Sequence, residues 1–158
     1  MLYYNEFDSA LGIITVQTSD KGIKGIWFET YTTKPDELGE HASNHPILVS
    51  AKKQLSEYLN GERAEFDLPL DADGTEFQKQ VWSELAKIPF GETRSYKQIA
   101  EAINKPKAVR AVGAANGKNP VSVVVPCHRV VGSNRALTGY AGGIERKKKL
   151  LELENIEL

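Results

Sequence analysis

A short polar break, Leu70-Asp71-Ala72-Asp73-Gly74, divides this chain into two stretches whose apolar residues follow different periods. Before it, Leu11–Thr18 and Gly22–Glu29 are β-branched or alternating, and Ser19-Asp20-Lys21-Gly22 has turn chemistry, which predicts a hairpin. Thr30–Asn44 is polar, holds Pro35 and Gly39, and reads as a loop. Pro46 then opens a helix at its first position. Leu48, Ala51, Leu55 and Tyr58/Leu59 recur at helical spacing, and Gly61 closes the helix as a C-terminal cap. Phe66-Asp67-Leu68 reads as a short edge strand. The expected division is a lobe over 1–70 and a second over 75–158. With 158 residues neither lobe has a generous core of its own, so the two are expected to pack together.

After the break the pattern is helical. Thr75-Glu76-Phe77-Gln78 is a capping box, and Phe77, Val81, Trp82, Leu85 and Ile88 line one face until Pro89. Ser95-Tyr96-Lys97-Gln98 is another, opening a helix with Ile99, Ala100 and Ile103 inward and a break at Asn104-Lys105. Pro106 starts the next helix, with Val109, Val112 and Ala115 inward and its end at Gly117. Two short helices joined by a tight turn have the outline of a helix-turn-helix. The second is rich in small residues, and only Arg110 on it could read a base edge. An Ala-rich helix buried in a bundle gives the same pattern.

Charge is unevenly distributed. Residues 1–86 hold 7 Lys+Arg against 15 Asp+Glu, and residues 87–158 hold 13 against 6. A basic second half suits a polyanion, though a solvated basic face would look alike. A single cysteine excludes an intrachain disulfide and a Cys-rich zinc site. Of the three histidines, His41 and His45 have the spacing of two ligands on a helix face, but their surroundings read as loop and no metal is expected. Glu6 and Asp8 sit where a leader would need an apolar run, and no stretch has the length of a membrane span. A cytoplasmic setting, reducing enough for a free thiol, is expected.

The lone cysteine lies in Val123-Val124-Val125-Pro126-Cys127-His128-Arg129-Val130-Val131. An apolar run would bury the site and hold it rigidly. Histidine is the side chain best suited to take a thiol proton near neutral pH. A buried Cys is also an ordinary small core residue, and neighbours on a strand point to opposite faces. A papain-type thiol hydrolase would need a distant histidine, which leaves only His41 and His45.

Taken together, Thr75-Glu76-Phe77-Gln78 with Val81-Trp82, Ile88-Pro89-Phe90-Gly91-Glu92-Thr93, Ser95-Tyr96, Ile99-Ala100, Arg110-Ala111-Val112-Gly113, Asn119-Pro120, Pro126-Cys127-His128-Arg129-Val130, Leu137-Thr138-Gly139-Tyr140-Ala141-Gly142-Gly143 and 147–154 resemble one family in order and spacing. That family is the O6-alkylguanine-DNA alkyltransferases, or methylated-DNA–protein-cysteine methyltransferases. The first lobe resembles it more loosely, through Leu11-Gly12-Ile13-Ile14 and Gly22-Ile23-Lys24-Gly25-Ile26.

The resemblance implies an α+β chain: a ribonuclease-H-like α/β lobe packed on a helical lobe carrying a helix-turn-helix and the thiol. It implies direct-reversal DNA repair, in which O6-alkylguanine is flipped out of duplex DNA and its alkyl group moves irreversibly to Cys127 by SN2 displacement, without a cofactor. His128 would be the base, acting through a water and oriented by Glu154. Tyr96 would press on the target phosphate and serve as proton partner of the departing guanine, and Asn119 would brace the turn. Arg110 would fill the vacated stack, Ala108, Ala111 and Gly113 would let the helix sit close to DNA, and Arg129 is placed on the DNA-binding side. Val130, Tyr140, Ala141 and Lys147 would form the base pocket, with the Cys127 and Val130 carbonyls and the Ala141 amide gripping the base. The expected partner is double-stranded DNA carrying O6-alkylguanine, bound by a monomer with no membrane or obligate protein partner.

Some positions depart from the family pattern. Ala141 replaces a serine of some members but keeps the amide. Arg135 stands where glycine is common, which alters the loop or adds a phosphate contact. Asn116 and Ser122 replace bulkier or more rigid residues, which implies a roomier pocket for larger alkyl groups or O4-alkylthymine. Alkyltransferase-like lesion binders share the scaffold but replace the cysteine, commonly with tryptophan. A helix-turn-helix regulator would need base-reading side chains that the Ala-rich helix lacks.

Overall fold

Alternating and β-branched residues at the start of the chain form a sheet, and the periodic apolar positions after residue 46 form helices. A computed structural model describes residues 1–31 and 34–158. It divides into two compact units, Met1–Asp73 and Gly74–Leu158.

The first unit has strands β1 (Tyr3–Phe7), β2 (Ile14–Thr18), β3 (Ile23–Phe28) and β4 (Glu40–His41), then helix α1 (Pro46–Leu59). The sheet order is β3-β2-β1-β4, antiparallel except for the parallel pair β1 and β4. The predicted hairpin is β2–β3, closed by the Ser19 amide on Gly22 O and the Thr18 hydroxyl on the same oxygen. Every residue of β2 is buried, and its polar side chains find partners: Thr15 with Glu6, Gln17 with Leu38 O. Helix α1 starts with Pro46 in its first turn and His45 as N-cap, and buries Leu48, Ala51, Leu55 and Tyr58. Gly61 follows its C-cap at φ +76°, the left-handed turn that glycine adopts without a Cβ penalty.

Three expectations for this unit need correction. Strand β1 was not predicted. The segment Thr30–Asn44 is not loop throughout, because Glu40 and His41 pair with Tyr3 and Tyr4; Thr32 and Thr33 lie outside the described residues. Phe66–Leu68 makes no strand, since Gln54 takes its polar backbone, accepting from the Asp67 amide and donating to Asp67 O. Only Leu70 bridges to Ile23. His41 and His45 are engaged separately, with Asn5 and Asp20.

The second unit holds α2 (Glu76–Leu85), β5 (Arg94–Ser95), α3 (Tyr96–Ala102), α4 (Val109–Gly117), a 3-10 turn at Cys127–Arg129, β6 (Val130–Val131) and α5 (Ile144–Leu153). Both predicted capping boxes are formed, at Thr75/Gln78 and Ser95/Gln98. Helices α2, α3 and α4 pack pairwise around Val81, Trp82, Leu85, Ile99, Ala100, Val112 and Ala115. The Trp82 indole donates to Ala115 O at 2.8 Å, which fixes α4 against α2. Between α3 and α4, Asn104 takes φ +61° and the Lys105 amide bonds back to Ala100 O. Helix α4 begins at Val109, not Pro106, because Lys105–Ala108 closes a turn of its own, Ala108 N to Lys105 O. Val109, expected inward, is exposed at the start of the helix. Two-residue strands β5 and β6 run parallel, Arg94 opposite Val130 and Ser95 opposite Val131. No helix among the described residues is long and apolar enough to cross a membrane.

The Thr75 cap carries a stability prediction. Thr75→Ala removes the acceptor for the Gln78 amide and should cost about 1 kcal/mol, while Thr75→Ser should cost only a few tenths. Urea denaturation of the two variants would read this; equal midpoints for Ala and wild type would show that the cap contributes nothing.

Candidate active site

The nucleophile segment is built by one asparagine. Asn119 is buried; its Nδ2 donates to Val125 O at 2.8 Å and Val121 O at 3.4 Å, and its Oδ1 accepts from the Val121 amide at 3.0 Å. These bonds close residues 119–125 into a knot of turns. Within it Val123 takes φ +70°, an outlier for a β-branched residue, and the Val124 amide reaches Ser122 O at 2.8 Å. Pro126 then makes a second tight turn (φ −81°, ψ 65°), with the Cys127 amide on Val125 O. The β-branched run is therefore a set of turns and not a strand. It delivers Cys127 into a 3-10 turn, buried at 3% exposure.

Cys127 is a free thiol. Burial pushes its pKa up; the Asn119 side chain, the Lys147 ammonium and the Ser122 hydroxyl each act in the opposite direction. His128, with no exposed surface, presents Nε2 to Glu154 Oε2 at 2.8 Å. Burial holds its pKa below the usual histidine range against the raising effect of Glu154. With Nε2–H directed at the carboxylate, Nδ1 is the nitrogen that accepts a proton.

Glu154, at the end of α5, is the hub of this site. Its Oε1 accepts from Arg129 Nε at 2.8 Å and from the Gly91 amide at 3.0 Å, and its Oε2 also accepts from Arg129 Nη2 at 3.1 Å. Arg129 Nη1 donates to Ile88 O at 2.6 Å, and its guanidinium lies over Phe90, 5.9 Å from the ring centroid. The segment Ile88–Gly91 thus wraps an internal ion pair, and Gly91 makes the bend at φ +84°. Arg129 was expected on the DNA-binding side. It is instead buried and committed to Glu154 and Ile88 O, because an unpaired Glu154 in this interior would be costly.

The remaining expected residues fall into two groups. Tyr140 is half-buried with its hydroxyl 2.7 Å from Ser122 Oγ; Ala141 is half-buried beside it. Val130 O accepts from Lys147 Nζ at 2.7 Å, and Cys127 O accepts from the Val130 amide and, at 3.4 Å, from Asn116 Nδ2. Lys147 is fully buried on α5, and its ammonium also donates to Thr138 Oγ1 at 3.0 Å. Burial pulls its pKa down to about 8, offset in part by the thiolate charge of Cys127. Tyr96 opens α3, its hydroxyl 2.7 Å from Thr138 Oγ1. On α4, Arg110, Ala111 and Ala114 are exposed along one face, with Gly113 turned toward the Tyr96 ring and Ala108 half-buried at the N-cap. Arg135 holds φ +63° and donates to Glu157 O, so in this structure it shapes the loop. Sequence reasoning missed Ile88 O, the Gly91 amide and the Thr138 hydroxyl. Of these, only Gly91 had a local signal, a glycine directly after Pro89-Phe90. Among the described residues no group of His, Cys, Asp or Glu is placed to hold a metal ion.

Two outcomes follow from the hub. Arg129→Ala leaves Glu154 buried without its cation and should lower stability by about 3–5 kcal/mol; a loss under 1 kcal/mol in urea titration would show that Glu154 does not depend on it. Because His128 binds its proton less readily folded than unfolded, the unfolded chain gains protons first as pH falls below 6.5. Stability should therefore decline from pH 6.5 downward and level off below the folded pKa. The decline should be shallower in His128→Gln, and identical slopes in the two proteins would rule His128 out as its source.

Comparison with known proteins matches this geometry to a family. Residues 76–156 match the 6-O-methylguanine DNA methyltransferase DNA binding domain, and residues 2–72 match the ribonuclease-like domain of the same name. A methylated-DNA–protein-cysteine methyltransferase of Mycolicibacterium paratuberculosis is 47% identical over 98% of this chain and 93% of its own length. The Methanosarcina barkeri protein of the same name is 43% identical over 99% of both chains. The crystal structure of Mycobacterium tuberculosis OGT in complex with DNA superposes with a TM-score of 0.89 at 44% identity, covering 96% of this chain and 92% of that one. Near-complete coverage by both domains and by relatives of this identity shows that the chain belongs to the 6-O-methylguanine DNA methyltransferase family.

Proposed function

We propose that this chain repairs O6-alkylguanine in double-stranded DNA by taking the alkyl group onto Cys127 Sγ in one irreversible displacement. The observation that carries the reading is the order Cys127, His128, Glu154: a buried thiol, then an imidazole whose Nε2 is held by a carboxylate at 2.8 Å. That is the nucleophile, base and orienter of an activated thiol. The relatives' shared name, methylated-DNA–protein-cysteine methyltransferase, supports the same chemistry.

In this reading the damaged nucleotide leaves the stack, because its alkyl carbon is out of reach inside a duplex. Helix α4 lies close to DNA through its small exposed residues, and Arg110 fills the gap between bases, as a planar cation suits. The thiol proton passes through a water to His128 Nδ1. The thiolate attacks the alkyl carbon as the C–O6 bond breaks, and the electron pair leaves on guanine, which takes a proton from Tyr96. The Cys127 and Val130 carbonyls accept from the base, the Cys127 oxygen exchanging its long contact with Asn116 Nδ2 for a base N–H, and the Ala141 amide donates to it. Lys147 favours the thiolate by charge. Ser122 and Asn116, both buried near the thiol, leave room for alkyl groups larger than methyl. The protein acts as a monomer, in the cytoplasm, without a cofactor.

The test is intact-protein mass spectrometry after mixing with a duplex carrying O6-methylguanine. Wild type should gain one methylene, mapped to Cys127, and Cys127→Ser should gain none. Tight lesion-selective binding without a mass change would replace the repair reading with a lesion binder. The methylated product should also melt lower than the free protein, since the added group enters a packed site and Lys147 loses the charge of its thiolate neighbour. An unchanged melting temperature would show that the site accepts the group without strain.

A further inference from the structure

We infer that Thr138 is a positioning residue for the transfer, its hydroxyl joining Lys147 to Tyr96 so that a proton can pass toward the departing guanine. The inference rests on the repair reading above and extends it to a residue outside the thiol, base and carboxylate set. Its basis is a continuous chain of three side chains from three elements. Lys147 Nζ on α5 lies 3.0 Å from Thr138 Oγ1, and Thr138 Oγ1 lies 2.7 Å from Tyr96 Oη at the start of α3. The chain runs from a fully buried ammonium to a half-buried phenol.

The donor inventory gives the chain a direction. An ammonium has only protons to offer, so Thr138 Oγ1 must accept from Lys147. In the relay its own proton points to Tyr96 Oη, the one of the two orientations open to this pair that directs the phenol proton onward, away from Thr138. Hydrogen bonds aligned in this sense strengthen one another. Without the Thr138 hydroxyl, Lys147 remains tied to Val130 O but no longer reaches Tyr96. Burial has already made the Lys147 ammonium a readier acid, and the thiolate charge of Cys127 is what restrains it. When sulfur becomes a neutral thioether that restraint is lost, at the stage when guanine needs a proton.

The step balances as follows. The Cys127 sulfur pair forms the S–C bond, and the C–O6 pair departs on guanine. Guanine takes the Tyr96 proton, Tyr96 takes the Thr138 proton, Thr138 takes one from Lys147, and Lys147 is left a neutral amine that recovers a proton from solvent.

Thr138→Val keeps the shape and removes the hydroxyl; Thr138→Ser keeps the hydroxyl. Methyl transfer from an O6-methylguanine duplex should fall about tenfold or more in Thr138→Val and be restored in Thr138→Ser. Methylation of Cys127 by iodomethane should be the same in both, because iodide leaves without a proton. In a Tyr96→Phe background Thr138→Val should cost nothing further, since Thr138 acts through Tyr96. A parallel loss with iodomethane would make the effect one on the nucleophile and overturn the relay. Additive losses in the double variant, or wild-type rates in Thr138→Val, would overturn it too. Failure of wild type itself to take methyl from the duplex would overturn the repair reading first.

Discussion

The buried Glu154 carboxylate organises the second unit. It collects the Gly91 amide, the Arg129 guanidinium and the His128 imidazole from two segments far apart in sequence. Its charge is divided among them, and this division matters for chemistry. Facing a carboxylate alone, an imidazole tends to keep its proton and is then no base. Here burial disfavours a charged ring and Arg129 opposes the pull of the carboxylate, so the pKa of the ring is held below the usual histidine range and the ring is ready to accept. Arg129 therefore acts on the imidazole through Glu154. The motif Ile88–Gly91 serves it too, since a backbone carbonyl and a backbone amide satisfy the ion pair where no water need enter.

A second constraint acts on the backbone. Val123-Val124-Val125 has the composition of a buried strand, yet it folds as turns with one valine at positive φ. Asn119 supplies the bonds that a sheet partner would otherwise supply, to Val121 and Val125 on either side of the strained residue. Unfavourable local geometry is thus held by one buried side chain, and Val121, Val123 and Val125 are buried around it. This fixes the direction in which Cys127 leaves the loop. The same 3-10 turn carries His128, whose Nε2 is taken by Glu154.

What the sequence made legible was local. Capping boxes, the helix opened by Pro46, the β2–β3 hairpin and the periodic faces of α1 and α2 all depend on residues within one or two turns of each other. The family resemblance then supplied the pairing of His128 with Glu154, which spacing alone does not carry. The misreadings share a cause. Strand β1 and the pair Glu40–His41 are stabilised by partners distant in sequence, and β1 itself is polar and half-exposed. Arg129 was misplaced because a guanidinium next to a nucleophile suggests a phosphate contact, and nothing in the neighbouring residues announces a buried carboxylate. Thr138 was only one letter of a matched motif until Tyr96 and Lys147 were seen on either side of its hydroxyl.

The interior of the second unit holds more charge than its size favours: Glu154, Arg129, Lys147 and a thiol that must become a thiolate are all buried. Each ion is costly to bury and becomes tolerable only beside its partner. Such an arrangement is sensitive to any change in one member, which is a liability for a catalyst that must return to its starting state thousands of times. A protein that takes one alkyl group onto its own sulfur never returns. Its charges need to be balanced only up to the moment of transfer, so the thiolate that steadies Lys147 can be consumed and the balance abandoned. The same economy explains why the machinery is concentrated on one thiol while the helix facing outward, α4, carries little beyond Arg110 and small side chains. In the reading proposed above, lesion choice rests on what fits against Cys127, and the helix need only hold DNA of any sequence within reach.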